Sequence, residues 1–282
     1  MRSALVAQWL RAGTEDRAGR RTAFRYAAGI GLAQVAWVAR HVLLATGALS
    51  PSWGLPLFAC LAALELAVPR WAERARPTSW HPHHIAERYG LFTIILLGEG
   101  VLATSRGVEG ALAAGEIVSP FVVVAVSGLV LLFACWWLYF LTPAGEGLSE
   151  RRQRSYLWGY GHYGVFAALA ALGAGLEAAV ERAGQAATAS PLTGYGVGYA
   201  VAVPAAAYLV LLQVVHALVA ARPVLRPRVA LGCAAGVLAL PLAAPLIGVA
   251  GVTAGVAAGC VLPVALTLAA RSRSRARRRG RR

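Results

Sequence analysis

Ionisable side chains interrupt an otherwise apolar segment of this chain. The segment HPHHIAERYGLFTIILLGEG, residues 81–100, carries His84, Glu87, Arg88 and Glu99 among large apolar residues. Carboxylates and imidazoles can pass protons, and imidazole titrates near neutral pH. An ionisable group in hydrocarbon costs about 2.5–3.5 kcal/mol on insertion scales, so such groups usually face a bundle interior and have partners there. The segment therefore predicts chemistry with ions, protons or a polar solute inside a membrane.

A helix would bring these four side chains to one side. Counted from His84 at 100° per residue, Arg88 lies at about 40°, Glu99 at about 60° and Glu87 at about 300°. His84 and Glu99 are separated by about 22 Å along the helix axis. We therefore predict two polar layers at different depths.

The outer layer is predicted to contain an ion pair between Arg40 and Glu99. Both residues lie well inside their predicted helices when counted from the cytoplasmic ends. Two interpretations remain open for this pair, a structural contact between helices and a role in transport or gating.

The inner layer collects residues from four predicted helices at similar depth. Histidine beside glutamate is the chemistry of a proton relay or a pH-sensitive gate. The alternative is interfacial snorkelling together with a few satisfied hydrogen bonds in the core. The members of this layer are Glu65, His84, Glu87, Arg88, His162 and His216.

The composition indicates which elements position these groups. Of 282 residues, 58% are hydrophobic and 14% charged, and the mean hydropathy is +0.61, which is outside the range of soluble domains. Because a helix of about 20 apolar residues crosses a bilayer, and no barrel alternation is visible, we predict an all-α, polytopic transmembrane helix bundle. About eight spans are predicted, at residues 23–48, 53–69, 85–105, 117–141, 156–179, 196–221, 228–247 and 250–270. Several tryptophans, Trp158 among them, lie near the predicted span ends and are expected at headgroup level.

The basic residues predict the topology and the regions of the chain. All 27 are arginines, and they cluster in every second connection. The positive-inside rule then places both termini in the cytoplasm. The regions are a helix stub with a basic cytoplasmic linker at 1–22, a transmembrane helical domain at 23–270 and an Arg-rich cytoplasmic tail at 271–282. We expect the tail to lie against anionic lipid headgroups, at about 1 kcal/mol per arginine, and we expect no nucleic-acid partner.

No catalytic, cofactor or metal motif accompanies the polar residues, so none of these sites is predicted. HPHH is poorly spaced for a metal because Pro82 interrupts a helix between His81 and His84. No nucleophile elbow, P-loop or dinucleotide fingerprint occurs in its required context. The four cysteines fall inside predicted spans without CxxC spacing and are expected to be small buried residues; they are Cys60, Cys135, Cys233 and Cys260.

The last two predicted spans contain glycines four residues apart and no ionisable residue. Gly232 and Gly236 form one such pair, and Gly251, Gly255 and Gly259 form a longer series. Glycines at this spacing allow close backbone packing. We interpret this hairpin as scaffold or as the interface of a homo-oligomer.

One segment resembles a known family. HHIAERYGLFTIILLGEGVLATS, residues 83–105, is similar to the signature of the bacterial low temperature requirement protein A family (LtrA), and RAGTEDRAGRRTAFRYAAGIGLAQVAWV, residues 11–38, is similar in kind. The resemblance implies a polytopic protein of the bacterial inner membrane, named from a requirement for growth in the cold.

The chain departs from the family at its start. Family members resemble longer chains that begin with an acidic and aromatic motif of the kind ELFFDLVFVFA, followed by further spans. Nothing here matches that region, so we expect a chain truncated at its start or a start codon assigned too late.

The leading functional prediction is transport or permeation of an ion or small polar solute, with or without coupling to protons. A membrane enzyme acting on a lipid-linked substrate is the first alternative, with glutamates and histidines as acid and base. A structural or sensory membrane protein, whose polar residues fix helix register, is the second.

Overall fold

The computed structural model describes residues 1–113, 119–184, 191–220 and 226–279. The described residues form α-helices and short 3-10 helices, without a strand. The chain divides into two compact units, Met1–Trp80 (unit 1) and His81–Arg282 (unit 2). The predicted all-α helical bundle is confirmed.

Unit 1 contains three α-helices. They are α1, Arg2–Glu15; α2, Arg20–Ala45; and α3, Gly54–Glu73, which follows a 3-10 turn at Pro51–Trp53. Helix α2 ends where Gly47 adopts a positive φ of 72°, a conformation that glycine takes without steric cost. The α2–α3 contact is close, because a Cβ added at Gly29 would lie 2.6 Å from Cγ1 of Val68. The ring of Trp9 stacks on Tyr26 at 4.3 Å and fastens α1 to α2.

Unit 2 contains the other helices. They are α4, Pro82–Ala113; α5, Ser119–Phe140; α6, Ala144–Glu150; α7, Ser155–Gly184; α8, Pro191–Val219; α9, Pro227–Ala239; and α10, Ala244–Arg279, with 3-10 turns at Arg152–Arg154 and Leu240–Ala243. Helix α7 packs against α4, α5 and α8, and α10 packs against α5, α8 and α9. Proline stands at the first position of α4, α8 and α9, where its missing N–H costs nothing.

Contacts along these helices show that consecutive long helices of unit 2 alternate in direction. A Cβ at Gly164 would meet Leu211 and one at Gly175 would meet Ala200, so α7 and α8 are antiparallel. Gly159 faces Tyr89, and Gly173 faces Gly100, so α4 and α7 run parallel. This up-and-down arrangement is what a chain crossing a membrane repeatedly must adopt.

Within the described residues, six helical segments are long and apolar enough to cross a membrane: Arg20–Ala45, Pro51–Glu73, Ser119–Glu150, Arg152–Ala183, Gly194–Val219 and Pro227–Ser272. The chain is therefore a polytopic membrane protein. The 46-residue segment Pro227–Ser272 covers both the seventh and the eighth predicted span. The third predicted span corresponds to α4, a 32-residue helix that is not among the six and carries five acidic or basic residues.

The glycines of the last two spans have different surroundings. A Cβ at Gly255 would lie 2.9 Å from Leu240, and one at Gly259 would lie 2.6 Å from Val237. The glycine side of α10 is therefore packed against the end of α9 and the 3-10 turn that follows it. This supports the scaffold interpretation of that side. Gly232 and Gly236 are exposed, and a Cβ on either would meet nothing within 4 Å. A homo-oligomer through this surface stays a prediction.

Trp158 lies in the first turn of α7, near the end of its span as predicted, but its side chain packs within unit 2. It is 1% exposed, whereas Trp53 is 54% exposed. Cys135 and Cys260 are buried, but Cys60 is exposed. Side chains from residue 273 onward in the Arg-rich tail lie outside the described residues, so their contact with headgroups stays a prediction.

Candidate functional site

A buried cluster of polar and aromatic side chains lies at one end of unit 2. Tyr139 comes from the last turn of α5, and His162 comes from the second turn of α7. The Tyr139 hydroxyl lies 3.1 Å from Nε2 of His162. His162 is 1% exposed and Tyr139 is 7% exposed. A titratable group is thus enclosed between antiparallel helices.

The hydrogen bonds select one tautomer of the neutral His162 ring. Nδ1 lies 2.8 Å from the carbonyl oxygen of Trp158, four residues earlier on the same helix. A carbonyl oxygen can only accept, so Nδ1 carries the hydrogen. Nε2 then accepts from the Tyr139 hydroxyl. Adding a proton at Nε2 requires that hydroxyl to turn and accept instead.

His216 lies near the same tyrosine. It belongs to the last turn of α8, and its ring centroid is 6.2 Å from that of Tyr139. The Tyr139 ring thus has two histidine rings nearby, which come from different helices. Imidazole and phenol groups this close together can exchange protons when their hydrogen bonds rearrange.

Rings from α4 and α7 complete the enclosure of His162. The ring centroid of Trp158 is 4.2 Å from that of His162, and that of Tyr89 is 4.7 Å away. Thr93, 0% exposed, donates from its hydroxyl to the carbonyl oxygen of Tyr89 at 2.9 Å. The indole nitrogen of Trp158 is buried and has no hydrogen-bond partner among the described residues.

Helix packing explains how these groups reach one place. The buried residues of α4 recur at helical spacing and face α5 and α7; they are Gly90, Thr93, Leu97, Gly100 and Thr104. A Cβ at Gly90 would lie 3.2 Å from the Phe140 ring. The Tyr208 hydroxyl donates to the carbonyl oxygen of Cys135 at 2.6 Å and fixes α8 against α5.

The four residues singled out in α4 lie on the opposite, exposed face of the helix; they are His84, Glu87, Arg88 and Glu99. Nδ1 of His84 is 3.2 Å from Oε2 of Glu87, and these side chains are 74% and 67% exposed. Arg88 and Glu99 are also exposed, and the described residues give neither one a hydrogen bond or ion pair. These four residues therefore share one side of α4, as predicted, and that side is not the one that packs within unit 2.

In unit 1, Arg40 and Glu65 have partners. The Arg40 guanidinium donates to the carbonyl oxygen of Gly54 at 2.7 Å and lies 5.8 Å from the Trp37 ring centroid. The Trp37 indole N–H donates to Glu65 at 2.9 Å, and Arg2 forms an ion pair with Glu65. Arg40 and Glu99 belong to different units, and their ion pair stays a prediction.

Among the described residues, no three His, Cys, Asp or Glu side chains form a group that could hold a metal ion. The rings of His81 and His84 do approach each other, with centroids 4.9 Å apart. Helix α4 begins at Pro82, so His81 precedes the helix.

Sequence reasoning placed His162 and His216 in one layer and missed Tyr139, whose ring lies near both. Tyr139 ends the aromatic run WWLYF, in which several rings are equally plausible neighbours of lipid. The spacing Trp158-x-x-x-His162 was an available signal, because residues four apart share a helix face.

The family model for the bacterial low temperature requirement A protein (LtrA) matches residues 1–270. Among curated proteins and among solved structures there is no match. The match covers both units and nearly the whole sequence, and it agrees with the resemblance carried by residues 83–105. This chain belongs to the bacterial low temperature requirement A (LtrA) family.

Proposed function

We propose that this protein moves protons, alone or coupled to an ion or small polar solute, across the bacterial inner membrane. The observation that carries the proposal is the enclosure of His162, with both ring nitrogens in hydrogen bonds and with Tyr139 close to both His162 and His216. A titratable group kept inside a membrane bundle is typical of proton pathways.

The proposed path has the two layers predicted from the sequence. Tyr139 joins the inner layer, whose other members are Glu65, His84, Glu87, Arg88, His162 and His216. Arg40 and Glu99 form the outer layer. In this proposal a proton passes between the histidines as the Tyr139 hydroxyl changes from donor to acceptor. Both termini lie in the cytoplasm, which the distribution of arginines supports.

Proton flux into liposomes tests the proposal without knowledge of the solute. The full chain is reconstituted with a pH-sensitive dye inside, and a potassium gradient with valinomycin drives protons inward. We expect dye acidification faster than in protein-free liposomes. His162→Gln and Glu99→Gln should each slow it at least about tenfold, because each removes a titratable group that the path requires.

His81→Gln is the matched control, because His81 is exposed and precedes α4. It should retain the flux of the unchanged protein. Equal acidification of protein-containing and protein-free liposomes would refute proton movement. Unchanged flux in folded His162→Gln would remove the buried cluster from the path.

A structural role is favoured by one observation, the completeness of the hydrogen bonding of His162. In that case the bonds only fix the register of α5 against α7. His162→Gln would then lower thermal stability, and the unchanged protein would show no more proton flux than protein-free liposomes.

A further inference from the structure

A cavity of about 310 Å³ opens between α4 and α7 of unit 2, next to the buried cluster. Its lining residues are Arg88, Tyr89, Phe92, Gly159, Tyr163 and Phe166. Four of the six carry aromatic rings, and the guanidinium of Arg88 is the one ionic group among them. The cavity therefore combines a large apolar wall with a single positive charge.

The rings form a packed wall. The Phe92 and Phe166 centroids are 4.7 Å apart in an edge-to-face arrangement, and Tyr89 stacks on Phe166 at 5.9 Å. A Cβ at Gly159 would lie 2.8 Å from the Tyr89 hydroxyl, so the glycine leaves room for that ring. A preformed wall of this kind binds an apolar ligand with little loss of side-chain entropy.

The cavity is open on the exposed side of α4 and α7. Tyr163 is 63% exposed and Phe92 is 46% exposed. Helix α7 belongs to the candidate membrane span Arg152–Ala183. With this span in a bilayer, the exposed side of α7 faces acyl chains, and a ligand reaches these rings from the lipid.

The charge lies at the end of the cavity nearest the starts of the two parallel helices. Arg88 and Gly159 stand in the second turns of α4 and α7, where a headgroup region would be. Phe92 and Phe166 lie about 6–10 Å deeper along the helix axes. The described residues give Arg88 no carboxylate partner. A cationic ligand would be repelled, and a wholly apolar one would leave the guanidinium unused.

We propose that this cavity binds one anionic phospholipid, with its phosphate on the Arg88 guanidinium and the upper part of an acyl chain between the rings of Phe92 and Phe166. Guanidinium suits phosphate because its N–H groups form a planar fork. This site is separate from the predicted lipid contact of the Arg-rich tail. The proposal goes beyond proton movement, and it is tested by binding, so its failure leaves the flux experiment unaffected.

The experiment measures lipid retained by the full-length protein in native mass spectrometry from a neutral detergent. Phosphatidylglycerol and phosphatidylcholine are added at equal concentrations. We expect one phosphatidylglycerol per chain to be retained over phosphatidylcholine. Arg88→Gln should weaken that binding about fivefold, as expected for loss of one arginine at an anionic surface.

Two further variants and a control make the result specific. Arg88→Lys keeps the charge and should retain most of the binding. Tyr163→Ala removes an exposed part of the wall and should weaken binding while Arg88 stays in place. Arg106→Gln is the control, because Arg106 is exposed on the same helix but lies about 27 Å further along it.

Three outcomes would overturn the proposal. One is equal retention of the two lipids. Another is equal phosphatidylglycerol binding by Arg88→Gln and Arg106→Gln. The third is displacement of the lipid by water-soluble glycerol phosphate at similar concentration, which would mean that the site recognises a free anion rather than a lipid.

Discussion

Replacing Gly175 by alanine should separate α7 from α8. Gly175 is buried in α7. A Cβ added there would lie 2.6 Å from the carbonyl carbon of Ala200 and 3.1 Å from the backbone nitrogen of Val201. These atoms belong to the backbone of α8, so no side chain can rotate away. The helices themselves must move.

The size of the effect follows from this geometry. Carbon atoms pack at about 3.5–4.0 Å, so α7 and α8 must separate by about 1 Å near Gly175. A gap of about 0.5–1 Å forfeits a quarter to a half of each dispersion contact it opens. Overpacking of this kind typically costs about 1–3 kcal/mol. We expect Gly175→Ala to lower the free energy of unfolding by about 2 kcal/mol.

The assay is equilibrium unfolding by SDS in mixed micelles, followed by circular dichroism. Gly236→Ala is the matched control, because Gly236 also lies inside a helix but a Cβ there would meet nothing within 4 Å. It should leave stability unchanged or raise it by up to about 1 kcal/mol, since alanine favours the helix. If the two variants had the same stability, the close approach of α7 and α8 at Gly175 would be refuted.

Two further predictions concern the buried cluster and the topology. In a double-mutant cycle, Tyr139→Phe and His162→Phe should show a coupling of about 0.6–1.7 kcal/mol in SDS unfolding, because each removes one end of the same hydrogen bond; additive effects would contradict that bond. A fluorescent protein fused after Arg282 should fluoresce, and alkaline phosphatase fused there should be inactive, because the distribution of arginines predicts a cytoplasmic C-terminus; active phosphatase would reverse the proposed orientation.

Hydropathy was sufficient to predict the long helices, and polar sequence obscured part of α1 and the short helix α6. Seven of the eight predicted spans overlap one α-helix each, and the seventh, 228–247, covers most of α9 and the first residues of α10. Helix α1, however, continues to Glu15 through residues expected to be a linker. Arg11 and Glu15 form an ion pair four residues apart at 2.8 Å, and Trp9 packs on Tyr26. The ion pair adds local helix stability, the ring contact holds α1 against α2, and a hydropathy window detects neither.

The site was only partly predictable, because the inward rotation of a helix depends on its neighbours. In the run WWLYF, Tyr139 is 7% exposed, whereas Trp136, Trp137 and Phe140 are 40%, 44% and 41% exposed. A sequence that is apolar on all sides does not indicate which ring faces the bundle. His162 was found because a histidine inside a span is rare.

Few residues of α2 and α3 in unit 1 are buried, and this affects which substitutions these helices tolerate. In the most apolar 18-residue stretch of each candidate span, 11% of the residues are buried at α2 and 6% at α3. The corresponding share is 50% at both α7 and α8. Fluid acyl chains surround the remaining side chains and adapt to any apolar outline, so exchanging leucine for valine there leaves no rigid void. We expect α2 and α3 to drift among apolar residues in related chains, while α7 and α8 conserve side-chain volume position by position.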